Sequence, residues 1–211
     1  MKKYFFLILS IFLLFSCSDL FENKLPRHRF IDADNAYIPQ KHKKINDILT
    51  YKGSDGKIIK IQNKEYSVEK QPGGGQGGFK FRFATYYYDF LNIKLQLLDV
   101  HNECTTADNI KITIAKTPSE VLHHNVYIPH SKIGCLYHQY YFDTPNDTSI
   151  TLQEMMVNNV KYKKVLVLDC GPAFPYDLYD GGSLHKVYYD LGQGVIGFDD
   201  TENNIEFRIT N

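Results

Sequence analysis

Strict alternation of apolar and polar side chains constrains the fold of this chain more than any other feature. The stretches Phe79 to Phe83, Ile93 to Leu97 and Ile110 to Ile114 each carry an apolar residue at every second position. Successive side chains of a β-strand point to opposite faces, so this period predicts strands with one buried face. We therefore expect an all-β, mainly antiparallel domain. Its architecture would be a sandwich or a partly open barrel or meander, with at most one or two short helical turns.

Composition agrees with strands and excludes one class of partner. The chain has 16 Tyr and 14 Phe but no Trp, and aromatic side chains fit well on a pleated, half-buried surface. It carries 24 basic and 24 acidic residues. A formally neutral chain lacks the basic footprint of a nucleic-acid-binding protein, so no nucleic acid is expected as a partner.

Turn residues divide the first half of the domain. Ile48 to Gln62 predicts a hairpin around its Asp-Gly pair, because these residues supply the backbone angles of a tight turn. Loops are expected at Asp89 to Asn92 and at His101 to Asn109, and Thr117 to Glu120 resembles the cap of one short helical turn. Leu136 to Asp143 then predicts another strand.

The second half contains one ambiguous segment and several clear ones. Thr151 to Met156 is compatible with a short helix or with a strand that turns at Asn158-Asn159. Val160 to Asp169 holds a continuous apolar run that suits a strand with neighbours on both sides. Gly171 to Ser183 is rich in Gly and Pro and predicts a long loop, and Leu184 to Ile209 predicts a closing meander of three strands.

The amino-terminal residues have the layout of an export signal. Two lysines follow Met1, and an uninterrupted apolar run spans Tyr4 to Phe15. That run of about twelve residues is shorter than the roughly twenty needed to span a membrane as a helix. Leu14, Ser16 and Cys17 match a lipobox, so the segment resembles the signal of bacterial lipoproteins.

The lipoprotein resemblance implies a lipid anchor. Cleavage would follow Ser16, and Cys17 would carry the acyl chains that attach the protein to a bilayer; two or more chains give stable attachment. The expected organisation is a signal peptide at residues 1–16, the lipidated cysteine with a flexible tether at 17–44, and one β-rich globular domain at 45–211.

The resemblance also implies a location. Ser18 follows the cysteine where an inner-membrane retention signal has Asp, so export to the outer membrane is implied. The choice between a periplasmic and a surface-facing leaflet stays open.

A second resemblance lies in the carboxy-terminal third. The strand-like segment Val157 to Val165 and the hairpin-like segment Lys186 to Phe198 are similar to the carboxy-terminal part of uncharacterised β-rich lipoproteins of the Bacteroidota. Asn159 stands where those proteins usually have Gly, a replacement that a left-handed turn tolerates. These motifs are structural turns, so the resemblance implies a fold and a lineage without an activity.

Cysteine residues could form a disulfide or, together with a histidine, a nucleophilic site. Beyond Cys17, the chain has Cys104, Cys135 and Cys170, an odd number that allows at most one internal disulfide and leaves the partners open. Cys135 or Cys170 as a nucleophile would need a histidine and an acid brought together by the fold. No catalytic motif is present, so an envelope hydrolase is a secondary alternative.

Four histidines and one cysteine are candidate metal ligands. The candidate ligands are Cys135 with His123, His124, His130 and His138. Zinc accepts imidazole and thiolate, but no second ligand pair at a conventional spacing completes the set. Neither a metal nor a cofactor is therefore predicted.

Tyrosines are the remaining candidates for a binding surface. Rigid rings with a polar tip recognise ligands well, and the candidate ligand-facing residues are Tyr86, Tyr88, Tyr140 and Tyr188. The glycine-rich stretch Pro72 to Gly78 lacks the ending of a phosphate loop and is interpreted as a flexible connection. The expected function is a non-enzymatic envelope module that binds or supports an envelope protein, glycan or lipid. A carrier or chaperone for a lipid or another amphipathic ligand is the first alternative.

Overall fold

The structure is a computed structural model that describes residues 25–74, 84–98, 109–129, 137–169, 176–179 and 182–210. Within these ranges the chain forms strands and two short 3-10 helices. The strands are β1 (Arg27–His28), β2 (Ile48–Gly53), β3 (Ile58–Gly73), β4 (Tyr86–Leu97), β5 (Asn109–Lys116), β6 (Leu122–Pro129), β7 (Tyr137–Thr144), β8 (Gln153–Val157), β9 (Val160–Asp169), β10 (Tyr176–Tyr179), β11 (Gly182–Leu184), β12 (Lys186–Asp190), β13 (Gly194–Asp200) and β14 (Ile205–Ile209). The 3-10 helices are Asp32–Tyr37 and Gln40–His42.

One large sheet contains most of these strands. Its order is β7-β6-β5-β4-β3-β2-β14-β13-β12-β9-β8, and every neighbouring pair is antiparallel. The two-residue β1 pairs in parallel with β4, and β10 and β11 form a separate hairpin. The sheet curls into a half-barrel. The prediction of an all-β, mainly antiparallel fold with a partly open barrel is therefore confirmed.

Contacts between distant strands show how strongly the sheet curls. On β7, the Tyr140 hydroxyl donates to the carbonyl of Asp169 on β9 at 2.6 Å, and the Phe142 ring lies 6.3 Å from the Tyr189 ring of β12. At the other end, the Asn158 amide donates to the Ile209 carbonyl at 2.7 Å. Side chains from both halves of the sheet therefore share one concave interior.

The concave interior is the hydrophobic core. Along β4 the exposure alternates strictly between partly exposed and buried residues, as the sequence period predicts. Burying each Leu, Ile or Phe side chain contributes about 1.5–3 kcal/mol relative to leaving it in water. The large aliphatic and aromatic side chains that are essentially inaccessible are Tyr51, Ile59, Ile61, Leu91, Ile93, Leu95, Leu97, Tyr189, Phe198 and Phe207.

The predicted loop at Asp89 to Asn92 is wrong, because β4 runs through it as one strand of twelve residues. Asp89 faces the interior, where Arg27 donates to its Oδ1 from Nε at 2.9 Å and from Nη2 at 2.6 Å. Asn92 lies on the other face and donates to the Glu65 carboxylate of β3. Both polar side chains have partners, so neither interrupts the strand.

The predicted helical turn at Thr117 to Glu120 is also wrong. These residues form the tight turn of the β5–β6 hairpin, closed by the Glu120 N–H donating to the Thr117 carbonyl at 3.1 Å. Glu120 adopts a positive φ of 62°, which an α-helix does not contain. Strand β6 follows, which was not predicted although Leu122, Val126 and Ile128 fall on its buried face.

The ambiguous segment after β7 is a strand. Residues Gln153–Val157 form β8, and both Asn158 and Asn159 take left-handed angles, with φ of 47° and 66°. Two consecutive left-handed residues match a type I′ hairpin turn, and Asn tolerates both positions. The strand alternative is therefore correct and the helix alternative is wrong.

The late strands follow the prediction with one exception. Strand β9 has neighbours on both sides, and β12, β13 and β14 form the expected closing meander. The predicted loop at Gly171 to Ser183 contains β10 and the start of β11, which pair with each other.

Residues 25–44, named here the N-terminal strap, are folded against the sheet. The predicted tether extended to Lys44, but the described part of it packs on both halves of the half-barrel. Asp34 forms an ion pair with Lys116 of β5 at 3.1 Å, and the Gln40 N–H donates to the Gly192 carbonyl at 2.9 Å. Two buried positions, Ile38 and His42, tie the strap to the core. The basic residues that suggested a solvated tether are interleaved with these anchoring groups.

Several predictions concern residues that the structure does not describe. They are the signal peptide, the lipidation of Cys17, the strand at Phe79 to Phe83 and the pairing of Cys104, Cys135 and Cys170. In the described ranges, the structure contains no helix with the length and apolar character needed to span a membrane.

Candidate functional site

A groove crosses the convex face of the sheet at the ends of β3, β4, β5 and β6. We name it the tyrosine groove, and it has a volume of about 600 Å³. The turn between β5 and β6 forms one wall. Residues central to its chemistry are Gly73, Tyr86, Tyr88, Thr117, Ser119 and His123.

Strand alternation places the two tyrosines in the groove. Tyr87 of β4 is buried, so its neighbours Tyr86 and Tyr88 lie on the opposite, convex face. Their ring centroids are 6.3 Å apart and the ring planes are inclined by 48°. Two partly exposed rings therefore stand side by side along one strand.

The Tyr86 ring is held in place by a glycine. A Cβ atom on Gly73, its register partner in β3, would lie 2.2 Å from the Tyr86 ring. Only glycine permits such an approach of a ring to the neighbouring strand. The His28 ring packs edge-on against Tyr86, with 5.6 Å between centroids. Close packing by Gly73 and His28 therefore restricts the position of the Tyr86 ring.

The turn between β5 and β6 brings two hydroxyl groups to the groove. The Thr117 hydroxyl lies 3.0 Å from the Val121 carbonyl, to which it donates, and 2.8 Å from the Ser119 hydroxyl. Because Thr117 has a single proton, Ser119 must be the donor between the two hydroxyls. The Ser119 oxygen keeps acceptor capacity for a ligand.

A histidine and a carboxylate stand at one side of the groove. His123 Nδ1 of β6 contacts Asp143 Oδ1 of β7, its register partner. With Nδ1 donating to the carboxylate, Nε2 of the neutral ring is a hydrogen-bond acceptor. The pair can orient a polar ligand.

A buried cation lies behind the turn. Lys116 also lines the groove, and its side chain is only 2% exposed. Burial acts to lower the pKa of Lys116, but hydrogen bonds to Glu120 and Asp34 outweigh burial and raise it. The ammonium group stays charged, and it fixes the turn to the strap through ion pairs of 2.9 Å and 3.1 Å.

The other two candidate tyrosines do not join this groove. Tyr140 donates its hydroxyl to the Asp169 carbonyl and stands on the core side of β7. Tyr188 donates to Asp199, and the Arg208 guanidinium lies 4.6 Å from the centre of its ring. Burial, reinforced by the Asp199 carboxylate, raises the pKa of Tyr188 to about 12. The four residues thus occupy three places, and only Tyr86 and Tyr88 form one surface.

The histidines considered for a metal are separated by the sheet. His123 is exposed, whereas His124 is buried and stacks on the Phe142 ring at 4.8 Å. Burial lowers the pKa of His124 to about 3, with a smaller effect from His123. His130 and Cys135 lie outside the described residues, as does the side chain of His138. Among the residues that are described, no three metal-ligating side chains converge.

Sequence reasoning found the two rings of the groove and missed its polar groups. The contact between His123 and Asp143 depends on the β6–β7 register, which the sequence alone does not provide. The sequence predicts the glycine-rich stretch only as a connection. The role of Gly73, which makes room for the Tyr86 ring on the neighbouring strand, becomes visible only once the β3–β4 register is known.

Comparison of the chain with protein-family models, with curated proteins and with solved structures found no match. The functional assignment therefore depends on the geometry of the described residues.

Proposed function

We propose that this protein is a lipid-anchored lipoprotein of the bacterial outer membrane that binds an envelope glycan in the tyrosine groove without transforming it. The observation that carries the binding function is the pair of neighbouring, partly exposed rings, Tyr86 and Tyr88, on the solvent face of β4. Attachment through acylated Cys17 is supported by the lipobox resemblance.

A glycan suits the chemistry of the groove better than the other ligand classes. Aromatic faces pack against the apolar faces of sugar rings, and the groove supplies hydroxyl and imidazole groups for the sugar hydroxyls. Ser119 keeps free acceptor capacity, and His123 adds a ring nitrogen. A lipid carrier needs an apolar cavity, whereas the concave face of this sheet is filled by its own core side chains.

The hydrogen bonds favour binding over catalysis. A hydroxyl nucleophile needs a base within hydrogen-bond reach. In the described ranges, the Thr117 hydroxyl bonds to Val121 and Ser119, and His123 bonds to Asp143. The hydroxyl pair and the imidazole thus belong to separate hydrogen-bonded groups, which suits recognition of a ligand.

The test compares two tyrosine variants of the full chain. Tyr88→Ala removes one ring of the groove, and Tyr141→Ala removes a ring that is 68% exposed on β7. Binding to a panel of soluble neutral and N-acetylated oligosaccharides is measured by calorimetry. We expect Tyr88→Ala to weaken the best ligand at least tenfold, about 1.4 kcal/mol, and Tyr141→Ala to change its affinity less than twofold.

Two results would contradict this function. Unchanged affinity in Tyr88→Ala would show that the groove is not the binding surface. Conversion of a bound oligosaccharide to product by the wild-type chain would show that the protein is an enzyme.

A further inference from the structure

A second cleft, which shares no residue with the tyrosine groove, lies where the N-terminal strap meets β9 and the β12–β13 turn. We name it the lysine cleft, and its volume is about 500 Å³. Asn35, Ala36 and Lys41 of the strap form one side, the first five residues of β9 form another, and the turn after Asp190 closes it.

Positive charge is concentrated in this cleft. Among the described residues, the cleft is lined by four lysines, Lys41, Lys161, Lys163 and Lys164, and by one carboxylate, Asp190. The chain as a whole is neutral, with 24 basic and 24 acidic residues, so the excess is local. Such a concentration raises the potential inside a concave surface and attracts anions.

Asp190 does not serve as the counter-ion of these lysines. Its Oδ1 accepts the backbone N–H groups of Gly192 at 3.0 Å and Gln193 at 2.9 Å. Its Oδ2 accepts the backbone N–H of Lys164 at 3.3 Å. The buried carboxylate therefore shapes the turn, and the four ammonium groups are left to other partners.

Those other partners are few. Lys161 pairs with Glu154 at 2.7 Å, but the two side chains are 51% and 59% exposed, so the pair adds little stability. The Lys164 ammonium lies 3.7 Å from the centre of the Tyr37 ring, which positions it without neutralising it. Lys41 and Lys163 form no ion pair with any described residue.

The walls of the cleft are held by backbone contacts. The Gln40 N–H donates to the Gly192 carbonyl at 2.9 Å, and the Lys41 N–H donates to the Gln193 carbonyl at 3.4 Å. A Cβ atom at Gly192 would lie 3.1 Å from the Ala36 carbonyl oxygen. The strap and the turn thus meet closely and form a fixed frame for the cleft.

We propose that the lysine cleft binds a phosphate group. Lysine ammonium groups are compact, strongly hydrated point charges that bind phosphate without the geometric demands of arginine. Several lysines that line one concavity suit an anion whose oxygens can accept from more than one ammonium group. The same chemistry is offered by a soluble phosphate dianion and by the phosphodiester headgroup of an anionic lipid.

The experiment measures two soluble probes on the full chain by calorimetry at 50 mM and 300 mM sodium chloride. Inorganic phosphate represents the free dianion, and glycerophosphoglycerol represents the lipid headgroup without its acyl chains. Lys41→Gln/Lys163→Gln removes the two unpaired lysines. Lys52→Gln/Lys111→Gln removes the same charge from exposed positions outside the cleft.

We expect at least one probe to bind, with an affinity that falls at the higher salt concentration. The cleft variant should lose at least tenfold in affinity, and the control variant should change less than twofold. Tighter binding of inorganic phosphate identifies a soluble anion, and equal or tighter binding of glycerophosphoglycerol identifies a lipid headgroup.

The proposal is overturned if neither probe binds at 50 mM salt, or if both double variants lose affinity equally, which would indicate general charge attraction. Thermal unfolding without the probes verifies that each variant is folded. A negative result for the lysine cleft does not contradict glycan binding in the tyrosine groove, because the two sites share no residue.

Discussion

Lowering the pH from 7.5 to 5 should destabilise this protein through two buried histidines. The His42 ring of the strap lies fully inside the fold, with Nδ1 3.0 Å from Asn63 Oδ1 and Nε2 accepting the Val195 N–H at 3.2 Å. Both nitrogens are satisfied only when the ring is neutral, because a protonated Nε2 cannot accept. Burial lowers the pKa of His42 to about 4, and burial of His124 lowers its pKa to about 3.

Acid destabilises the folded state because both histidines bind protons more weakly there than in the unfolded chain. Both folded pKa values lie below the ordinary value of 6.5, so the unfolded chain takes up protons first as the pH falls. The stabilising contribution is complete above about pH 6.5 and declines as the pH falls toward the folded values. At pH 5, each histidine accounts for a loss of about 2 kcal/mol, and the two together for about 4 kcal/mol.

Urea unfolding of the full chain at pH 7.5 and pH 5 measures this loss. In His42→Gln and in His124→Gln, the difference between the two pH values should shrink by about 2 kcal/mol, whatever each variant costs at pH 7.5. Met156→Gln on β8 is the control, because it replaces a side chain that is 62% exposed and carries no titratable group, and it should keep the full wild-type difference.

The reasoning is refuted if the wild-type chain loses less than about 1 kcal/mol over this range. It is equally refuted if both buried-histidine variants retain the full difference. In that case the acid sensitivity would belong to other groups.

Two further predictions concern the anchor and the strap. Cys17→Ala should abolish lipidation, so that mass spectrometry finds no acyl chains and the protein leaves the membrane fraction; unchanged partitioning and unchanged mass would rule out the anchor. Lys116→Met should cost about 3 kcal/mol in urea unfolding, because it leaves the buried Asp34 carboxylate without its cation. The matched Lys111→Met on the exposed side of β5 should cost less than about 0.5 kcal/mol, and equal costs for the two variants would contradict this account.

Local alternation was sufficient to predict the strands whose polar residues face water. It failed at Asp89, an inward-facing carboxylate in mid-strand. Its partner Arg27 lies 62 residues away in the sequence, and no local pattern carries that information. The same limit explains why the packing of the strap was not predicted, since Asp34 and His42 are buried through contacts with strands distant in the sequence.

The candidate site was predictable to the extent that it depends on alternation within one strand. Tyr86 and Tyr88 share a face because they are two residues apart. Whether Tyr140 and Tyr188 join them depends on which way the sheet curls, and curvature arises from the whole sheet. The His123 contact with Asp143 depends on the register between two strands, which no local pattern specifies.

Because the strap is part of the folded domain, only a short segment separates any lipid on Cys17 from that domain. Its backbone joins the sheet at Pro26, whose carbonyl accepts the Tyr87 N–H at 2.8 Å, and His28 then packs on Tyr86. From Cys17 to Leu25 a fully extended chain reaches at most about 30 Å, similar to the thickness of a bilayer's hydrocarbon core. An acylated protein would therefore keep its tyrosine groove beside the membrane surface, where only ligands within that reach can be bound.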